Sequence, residues 1–221
     1  MGAYKRHIDT ANISELTIAR LSVYLRCVDQ LLDVGVDTVS SQELAKRFNL
    51  NSAQIRKDLA YFGEFGVRGV GYNVRELRQY VVEILGLDRE RRLLIVGAGN
   101  LGSALCHYSG FSSGNFLVVG VLDSDSTRIG DATPAGLLVE DAERMSEIVV
   151  QRRVDIGVIT TPPGAAQKVC DSMVGAGLRA ILNFAPVRVR APENVLVKTV
   201  DLKVHLEELS FFLAHDEGGS E

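Results

Sequence analysis

Residues 93–102 constrain this chain more than any other segment, because an apolar run opens directly into a glycine-rich turn. The segment reads Leu-Leu-Ile-Val-Gly-Ala-Gly-Asn-Leu-Gly. A buried strand, a Gly-x-Gly-x-x-Gly turn and a helix form the arrangement in which backbone amides approach the diphosphate of a dinucleotide. The segment therefore predicts a dinucleotide site. Its candidate residues are Gly97, Ala98, Gly99, Asn100, Leu101 and Gly102.

The next apolar run ends at Asp123, 26 residues beyond Gly97. A carboxylate at the end of the second strand of such a fold can bind the ribose hydroxyls of the adenosine. Because no Arg or Lys follows Asp123 immediately, a 2′-phosphate on that ribose would meet repulsion. We therefore predict that the site takes NAD(H) in preference to NADP(H).

From Arg91 onward, apolar strand segments alternate with helical segments. This alternation predicts an α/β domain with a doubly wound parallel sheet, in which ligands bind beyond the carboxyl ends of the strands. We expect two such ends to reach the ribose and nicotinamide half, although the same residue types also form ordinary turns. Their candidate residues are Thr160, Thr161, Pro162, Asn183 and Phe184.

The first 90 residues follow a different, mainly helical pattern. Residues 14–33 predict a long core helix, and Ser40 with Glu43 predicts a capping box at the start of a second, short helix. After a tight turn, Asn51 or Ser52 caps a third helix. Two short helices about a tight turn match the geometry of a helix-turn-helix unit.

Residues 63–72 alternate glycine with aromatic, branched and basic residues. This pattern predicts a two-stranded hairpin with glycine bends, which is the wing of a winged helix-turn-helix domain. Arg68 lies among glycines near the tip of this hairpin. We expect its side chain to enter a narrow, electronegative A·T minor groove.

The net charge of −4 conceals a basic segment, because residues 46–75 have an excess of four positive charges. Such a local excess is typical of a DNA contact, although each charge could also belong to a solvated face. On the third helix, we expect Gln54, Arg56 and Lys57 to meet base edges in the major groove. The expected phosphate contacts are Lys46, Arg47 and Arg75.

The histidines give little support for catalysis, since a dehydrogenase needs an acid or base beside the nicotinamide and a pocket for its substrate. His7 is terminal, and His205 and His215 lie on or after the last helix. We interpret His107 as a surface or packing residue. The sequence therefore predicts a binding module and no enzyme. The alternatives are a small NAD-dependent oxidoreductase with an accessory helical domain, and a CoA-binding module.

Cys27, Cys106 and Cys170 are far apart and lack the spacing of metal ligands. We expect buried, reduced thiols and no metal site. No apolar stretch approaches the roughly 20 residues of a membrane span, and the first 12 residues lack the apolar core of a signal peptide. The sequence predicts a cytoplasmic protein with no membrane partner.

We expect three segments along the chain. Residues 1–86 are the predicted winged-helix DNA-binding domain, and residues 87–200 are the predicted Rossmann NAD(H)-binding domain. Residues 201–221 are predicted to form a last helix for dimerisation and an acidic tail, and residues 86–90 read as a linker. The apolar face of the last helix would equally cover the core of its own subunit.

In combination, these motifs resemble the Rex family of redox-sensing transcriptional repressors over residues 16–212. The segments that carry the resemblance are residues 52–59 (Ser-Ala-Gln-Ile-Arg-Lys-Asp-Leu), 61–63 (Tyr-Phe-Gly), 68–72 (Arg-Gly-Val-Gly-Tyr), 97–102 and 181–186 (Ile-Leu-Asn-Phe-Ala-Pro). The resemblance implies a homodimer that reads the two halves of a palindromic operator in double-stranded DNA. It implies release from the operator when NADH binds, with NAD⁺ as a weaker competitor. It also implies that the last helix is domain-swapped, and it adds Ser52 and Tyr72 to the DNA contacts.

The resemblance further implies that Arg26, Tyr108 and Asp201 make alternative contacts in the two states, with Tyr108 also near the cofactor. Such differential contacts are what a ligand-driven switch requires. Two alternatives stay open. Arg26 could form a local pair with Asp29, and Tyr108 and Asp201 could be ordinary packing and capping residues.

The charge of the nicotinamide offers a physical basis for sensing its redox state. The oxidised ring is positive, whereas the reduced ring is neutral. An apolar pocket near Phe184 and Leu202, with the cationic Arg26 in the neighbourhood, would penalise NAD⁺. We therefore expect NADH to bind more tightly.

Overall fold

The structure is a computed structural model, and it describes residues 13–63, 65–67, 69–112 and 115–215. The chain divides into two compact units, Met1–Arg89 and Glu90–Glu221. The division lies within the segment that reads as a linker. The domain boundaries expected from the sequence, including the one at residue 201, stay predictions.

Four helices form the first unit, namely α1 (Glu15–Asp33), α2 (Ser41–Phe48), α3 (Ser52–Ala60) and α4 (Val74–Ile84). The predicted capping box of α2 is confirmed. Oγ of Ser40 accepts from the Glu43 N–H at 3.1 Å, and the Glu43 carboxylate accepts from the Ser40 N–H at 2.8 Å. Asn51, rather than Ser52, caps α3, because its Oδ1 accepts from the N–H of Gln54 at 3.0 Å.

The apolar sides of these helices meet in one core. Its fully buried residues include Leu21, Val28, Leu44, Ile55 and Val81. An exposed ion pair also links α4 to α1, with Nε of Arg78 2.6 Å from Oδ1 of Asp29. This close packing gives α3, the predicted recognition helix, a rigid base.

Part of the hairpin predicted over residues 63–72 is present in the described residues, where Val67 and Gly71 form an antiparallel bridge. The N–H of each residue donates to the carbonyl oxygen of the other, at 2.9 and 3.0 Å. The strand that follows, β2 (Tyr72–Asn73), pairs antiparallel with β1 (Thr38–Val39), which lies between α1 and α2, and the sequence did not predict this pairing. Gly71 has a φ of 109°, and a Cβ on it would come within 2.6 Å of a β1 carbonyl oxygen. Gly71 is therefore required where this segment comes against β1.

The second unit contains a six-stranded sheet. Its strands are β3 (Arg91–Val96), β4 (Phe116–Asp123), β5 (Val139–Asp141), β6 (Ile156–Ile159), β7 (Ala180–Asn183) and β8 (Leu196–Thr199). The order across the sheet is β5-β4-β3-β6-β7-β8, and each neighbouring pair is parallel. This is the doubly wound order of dinucleotide-binding folds, which reverses direction between β3 and β6. The predicted parallel sheet is confirmed, but the pattern missed the edge strands β5 and β8.

Helices connect these strands and cover the sheet. They are α5 (Asn100–Cys106), α6 (Ser109–Ser112), α7 (Met145–Gln151) and α8 (Pro163–Gly175). The predicted burial of the cysteines is confirmed, since Cys106 and Cys170 are buried in this unit and Cys27 in the first. Burial raises the pKa of each thiol, which keeps it protonated and unreactive.

The last helix, α9 (Leu202–His215), presents its apolar side chains to solvent. Each of the apolar residues is between 46% and 72% exposed. These residues are Leu202, Val204, Leu206, Leu209, Phe211, Phe212 and Leu213. An exposed apolar surface of this extent marks an interaction surface. Among the described residues, no helix is both long enough and apolar enough to cross a membrane.

Candidate functional site

The glycine turn lies where the strand order of the sheet reverses. It follows β3 and leads into α5, and Gly97 has a φ of 109°. A Cβ on Gly97 would come within 2.8 Å of the carbonyl carbon of Thr160, which follows β6. A Cβ on Gly102 would overlap the carbonyl oxygen of Gly97. Both positions therefore require glycine, because the backbones of the turn, α5 and the β6 end are in direct contact.

Asp123 lies beside this turn, as its place at the end of β4 predicts. Its Oδ2 accepts from the N–H of Ala98 at 2.7 Å, and its Oδ1 accepts from the N–H of Asp125 at 3.0 Å. The Asp123 side chain is 15% exposed, so part of the carboxylate can still meet a ligand. Nη1 of Arg128 lies 3.8 Å from Oδ2 of Asp123. The sequence pattern did not identify Arg128, because it lies five positions beyond Asp123.

Two threonines follow β6, and their hydroxyls have different surroundings. Oγ1 of Thr160 lies within hydrogen-bonding distance of the carbonyl oxygens of Gly97 at 2.7 Å and Val96 at 3.1 Å. This contact fastens the glycine turn to β6. In the part of the chain that the structure describes, Oγ1 of Thr161 is buried without a hydrogen-bond partner. Such an atom costs about 1–3 kcal/mol, so a ligand that supplies the partner is stabilised here.

Asn183 holds the loop after β7 with its own side chain. Nδ2 donates to the carbonyl oxygens of Ala185 at 3.2 Å and Val187 at 2.8 Å, and Oδ1 accepts from the N–H of Ala185 at 3.0 Å. The Asn183 amide is fully buried, whereas Phe184 is half-buried and Pro162, at the start of α8, is exposed. Asn183 therefore supports the loop, and Phe184 and Pro162 offer surface to a ligand.

These residues fit a dinucleotide. Close backbone packing requires glycine at positions 97 and 102, whereas among the described residues a Cβ on Gly99 would meet only Nη1 of Arg128, so the backbone there is open to a ligand. Asp123 can accept from ribose hydroxyls. The unpartnered hydroxyl of Thr161 lies at the end of the strand next to β3. Asn100 and Leu101 are exposed at the start of α5. Searched over the described residues, the chain holds no group of three His, Cys, Asp or Glu side chains that could bind a metal ion.

In the first unit, α2 and α3 present exposed basic side chains. They are Lys46, Arg47, Arg56 and Lys57, and Arg75 on α4 is exposed as well. Nη1 of Arg56 donates to Oγ of Ser41 at 2.9 Å, which ties the two helices together. Positive charge therefore lies on both helices of the helix-turn-helix, where a duplex would meet it.

Asp58 is fully buried, although it belongs to the same charged helix. Four hydrogen bonds converge on its carboxylate. Nε and Nη2 of Arg20 donate at 2.5 and 2.8 Å, the Tyr24 hydroxyl at 2.9 Å and Nε2 of Gln54 at 2.8 Å. Burial alone would raise the pKa of the Asp58 carboxyl, but the hydrogen bonds from Arg20, Gln54 and Tyr24 hold it below its ordinary value. The cluster joins α3 to α1.

Other predicted DNA contacts have surroundings that the sequence did not reveal. Nε2 of Gln54 donates one of its two N–H groups to Asp58, which orients the amide and leaves its second N–H and its oxygen for a base. Tyr72 is 8% exposed and packs into the core of its unit, and its contact to DNA stays a prediction. Ser52 is half-buried at the start of α3. Arg68 lies outside the described residues.

The three predicted switch residues are all on described helices or beside them. Arg26 is exposed on α1, and the carboxylate of Asp29, its alternative local partner, is bound to α4. Tyr108 is 54% exposed and packs edge-on against a neighbouring phenylalanine ring. Asp201 accepts a backbone N–H at 2.9 Å at the start of α9. Tyr108 and Asp201 thus make ordinary contacts, and the switch role of all three stays a prediction.

Fold and site together define the class of this protein, a winged-helix unit joined to a dinucleotide-type parallel-sheet unit. Two family models match it. The model described as "Putative DNA-binding protein N-terminus" matches residues 12–60, and the model described as "CoA binding domain" matches residues 88–187.

The chain is also similar to known proteins over nearly its whole length. It is 51% identical to a redox-sensing transcriptional repressor Rex of Pelotomaculum thermopropionicum, over 93% of this chain and 96% of the relative. It is 45% identical to Rex 1 of Thermotoga maritima, over 87% and 91%. The crystal structure of RSP in complex with β-NAD⁺ and operator DNA matches with a TM-score of 0.88 and 36% identity, over 93% and 94%. The chain therefore belongs to the Rex family of redox-sensing transcriptional repressors.

Proposed function

We propose that this protein is a repressor that binds a palindromic operator as a homodimer and is released by NADH. One observation carries the proposal. A glycine turn with no room for a side chain lies at the switch point of a dinucleotide-type sheet, in a chain that begins with a basic helix-turn-helix. RSP, which is described as a Rex-family repressor, was crystallised with β-NADH and with β-NAD⁺ and operator DNA. We propose that a repressor that binds operator DNA and responds to NADH works in the cytoplasm.

On the DNA side, α3 enters the major groove. Arg56 and Lys57 contact base edges, and the exposed Lys46 and Arg47 contact phosphates. Arg75 adds a phosphate contact, Ser52 a contact at the start of α3, and Arg68 a contact in the minor groove. Gln54, whose amide is oriented by Asp58, contacts a base with its remaining N–H and its oxygen. The phosphate contacts supply affinity, and the base contacts supply sequence specificity.

On the cofactor side, the turn 97–102 holds the diphosphate with its backbone N–H groups, and Asp123 accepts from the ribose hydroxyls. Thr161 uses its unpartnered hydroxyl on the ribose and nicotinamide half. Phe184 and Pro162 exclude water from the ring. Because an apolar wall disfavours a positive charge, this part of the site favours NADH over NAD⁺. NAD⁺ remains a weaker competitor.

We also propose that the protein has no enzymatic activity, as its relatives are named for repression. The match to the CoA binding domain model favours CoA as a second candidate ligand of the same turn. Titration of CoA against bound NADH, followed by nicotinamide fluorescence, distinguishes the two. We expect NADH to remain bound when CoA is present at the same concentration.

The exposed apolar side of α9 supports the proposed homodimer. Every described side chain of α9 is exposed, so the apolar side of this helix is not covered by its own chain. We propose that it packs against a second copy of this chain as the swapped dimerisation helix. Analytical ultracentrifugation should give a dimer.

Asp201→Ala is expected to leave NADH binding measurable and to blunt the effect of NADH on operator binding. In our proposal, Asp201 makes different contacts in the two states, so its loss removes part of the coupling between the NADH and operator sites. Operator affinity measured with and without NADH checks this expectation.

Asp201→Asn separates coupling from capping, because asparagine also caps helices well but has no charge. The coupling role predicts that the D201N variant responds to NADH as weakly as the alanine variant does. If D201N responds like the wild type, Asp201 acts only as the cap of α9.

The proposed function is tested by a gel-shift titration with an operator that the protein itself selects from random DNA. NADH should release the complex, and NAD⁺ at the same concentration should release much less. Equal release by both nucleotides, or by neither, would contradict the proposal.

A further inference from the structure

Arg128 lies beside the glycine turn of the cofactor site. Its N–H donates to the carbonyl oxygen of Asp125 at 2.9 Å, in a turn that follows β4. The position that a Cβ on Gly99 would take lies 3.3 Å from Nη1 of Arg128. The guanidinium therefore covers the middle glycine, at which the backbone of such folds approaches the diphosphate.

Two carboxylates hold this guanidinium, and both contacts are long. Nη1 lies 3.8 Å from Oδ2 of Asp123, and Nε lies 3.6 Å from Oδ2 of Asp125. Strong charged hydrogen bonds are shorter, at about 2.7–2.9 Å. Asp125 is itself fixed, because the N–H and hydroxyl of Thr127 donate to its Oδ1 at 2.9 and 2.7 Å. Arg128 is thus positioned by its neighbours but not saturated by them, and 44% of its side chain is exposed.

The charges at this corner favour a cation beside a bound dinucleotide. A diphosphate brings two negative charges to a turn that already has Asp123 and Asp125 nearby. Like charges at such distances repel, the more so as a ligand displaces water. Among the described residues, Arg128 is a cation that lies close to both carboxylates and to Gly99.

We propose that Arg128 binds the diphosphate of the dinucleotide, turning from Asp123 and Asp125 to the phosphate oxygens. The planar guanidinium suits this contact, because it can donate two parallel N–H bonds to one phosphate. Asp123 is then free to accept from the ribose hydroxyls. This inference rests on the proposed function, since it needs a dinucleotide at the glycine turn.

A contact to the diphosphate means that Arg128 raises the affinity for the dinucleotide but does not affect the preference for NADH over NAD⁺. NADH and NAD⁺ share the adenosine diphosphate half and differ only at the nicotinamide. A contact to the shared half changes both affinities by the same factor. The same factor should apply to ADP-ribose, which has the diphosphate but no nicotinamide.

The experiment titrates the full-length protein with NADH by fluorescence and displaces NADH with NAD⁺, ADP-ribose or adenosine. Arg128→Gln is expected to weaken the binding of NADH, NAD⁺ and ADP-ribose by about tenfold each and to leave adenosine binding unchanged. Arg128→Lys should weaken binding less, because lysine keeps the positive charge. Arg179→Gln is the control, since Arg179 is an exposed residue that precedes β7 at the opposite end of the strands.

The outcomes separate the inference from the function on which it rests. Wild-type protein that binds no NADH overturns the proposed function and this inference together. Wild-type binding that R128Q leaves unchanged, or strengthens, overturns the diphosphate contact alone. An effect of R128Q on NADPH without one on NADH would assign the guanidinium to a 2′-phosphate, and so would also overturn it.

Discussion

Asp58→Ala is expected to destabilise the first unit by about 3 kcal/mol and to abolish operator binding. The substitution leaves the buried Tyr24 hydroxyl and the Gln54 amide without their shared acceptor, and it removes the partner of Arg20. Breaking a buried ion pair costs about 3–5 kcal/mol, and the lower value applies because Arg20 is one-third exposed. Urea unfolding followed by circular dichroism measures the loss.

Asp29→Ala is the matched control for this change. Asp29 also pairs with an arginine, but both side chains are about half exposed, so its loss should cost no more than about 1 kcal/mol. NADH binding by the second unit should persist in both variants. If D58A unfolds no more readily than D29A and still binds the operator, the Asp58 cluster does not hold α3.

The stabilisation by Asp58 should also depend on pH. Although burial opposes it, the hydrogen bonds hold the pKa of this carboxyl below its unfolded value. A lowered pKa gives stability that is present above the unfolded value and lost as pH falls through the folded value. The stability gap between the wild type and D58A should therefore narrow on acidification, below pH of about 4.

Gly102→Ala is expected to weaken NADH binding by about 100-fold. This factor corresponds to a cost near the upper end of the range for overpacking, about 3 kcal/mol. The added Cβ would overlap the carbonyl oxygen of Gly97 and come within 3.0 Å of Oγ1 of Thr160. The turn would have to move away from β6, and its N–H groups would leave the diphosphate. The variant should then stay on the operator when NADH is added.

Gly175→Ala is the control, because a Cβ there meets nothing within 4 Å. It lies at the end of α8, and we expect normal NADH binding. Operator binding by both variants verifies that the first unit is folded. NADH affinity of G102A within threefold of the wild type would contradict the close packing of this turn.

Local signals in the sequence predicted the parts of the fold that local physics determines. The capping box of Ser40 and Glu43 and the glycine turn each depend on residues close together in the chain. Asp123 was predicted because it ends the apolar run of its own strand. Buried strands next to β3 have strong apolar runs, so the parallel sheet was visible as well. The edge strands β5 and β8 have weaker patterns, because they are short and only partly buried.

Long-range contacts could not be predicted from the pattern. The Asp58 carboxylate looks like any surface charge until Arg20, 38 residues away, is brought against it. The burial of Tyr72 depends on pairing with β1, which no local signal indicates. Arg128 reaches Gly99 only through the turn that follows β4. The sequence thus predicted which strand ends form the site. Only the structure showed that Arg128 lies beside its carboxylates.

The central claim is that NADH and operator DNA exclude one another on this protein. A switch from 99:1 to 1:99 needs about 5.5 kcal/mol of differential binding, or about 2.8 kcal/mol at each of two sites. The most direct measurement is operator affinity at a constant total of NADH and NAD⁺, with their ratio varied. We predict that affinity falls steeply as the NADH fraction rises. An operator affinity that stays constant across all ratios would contradict the account.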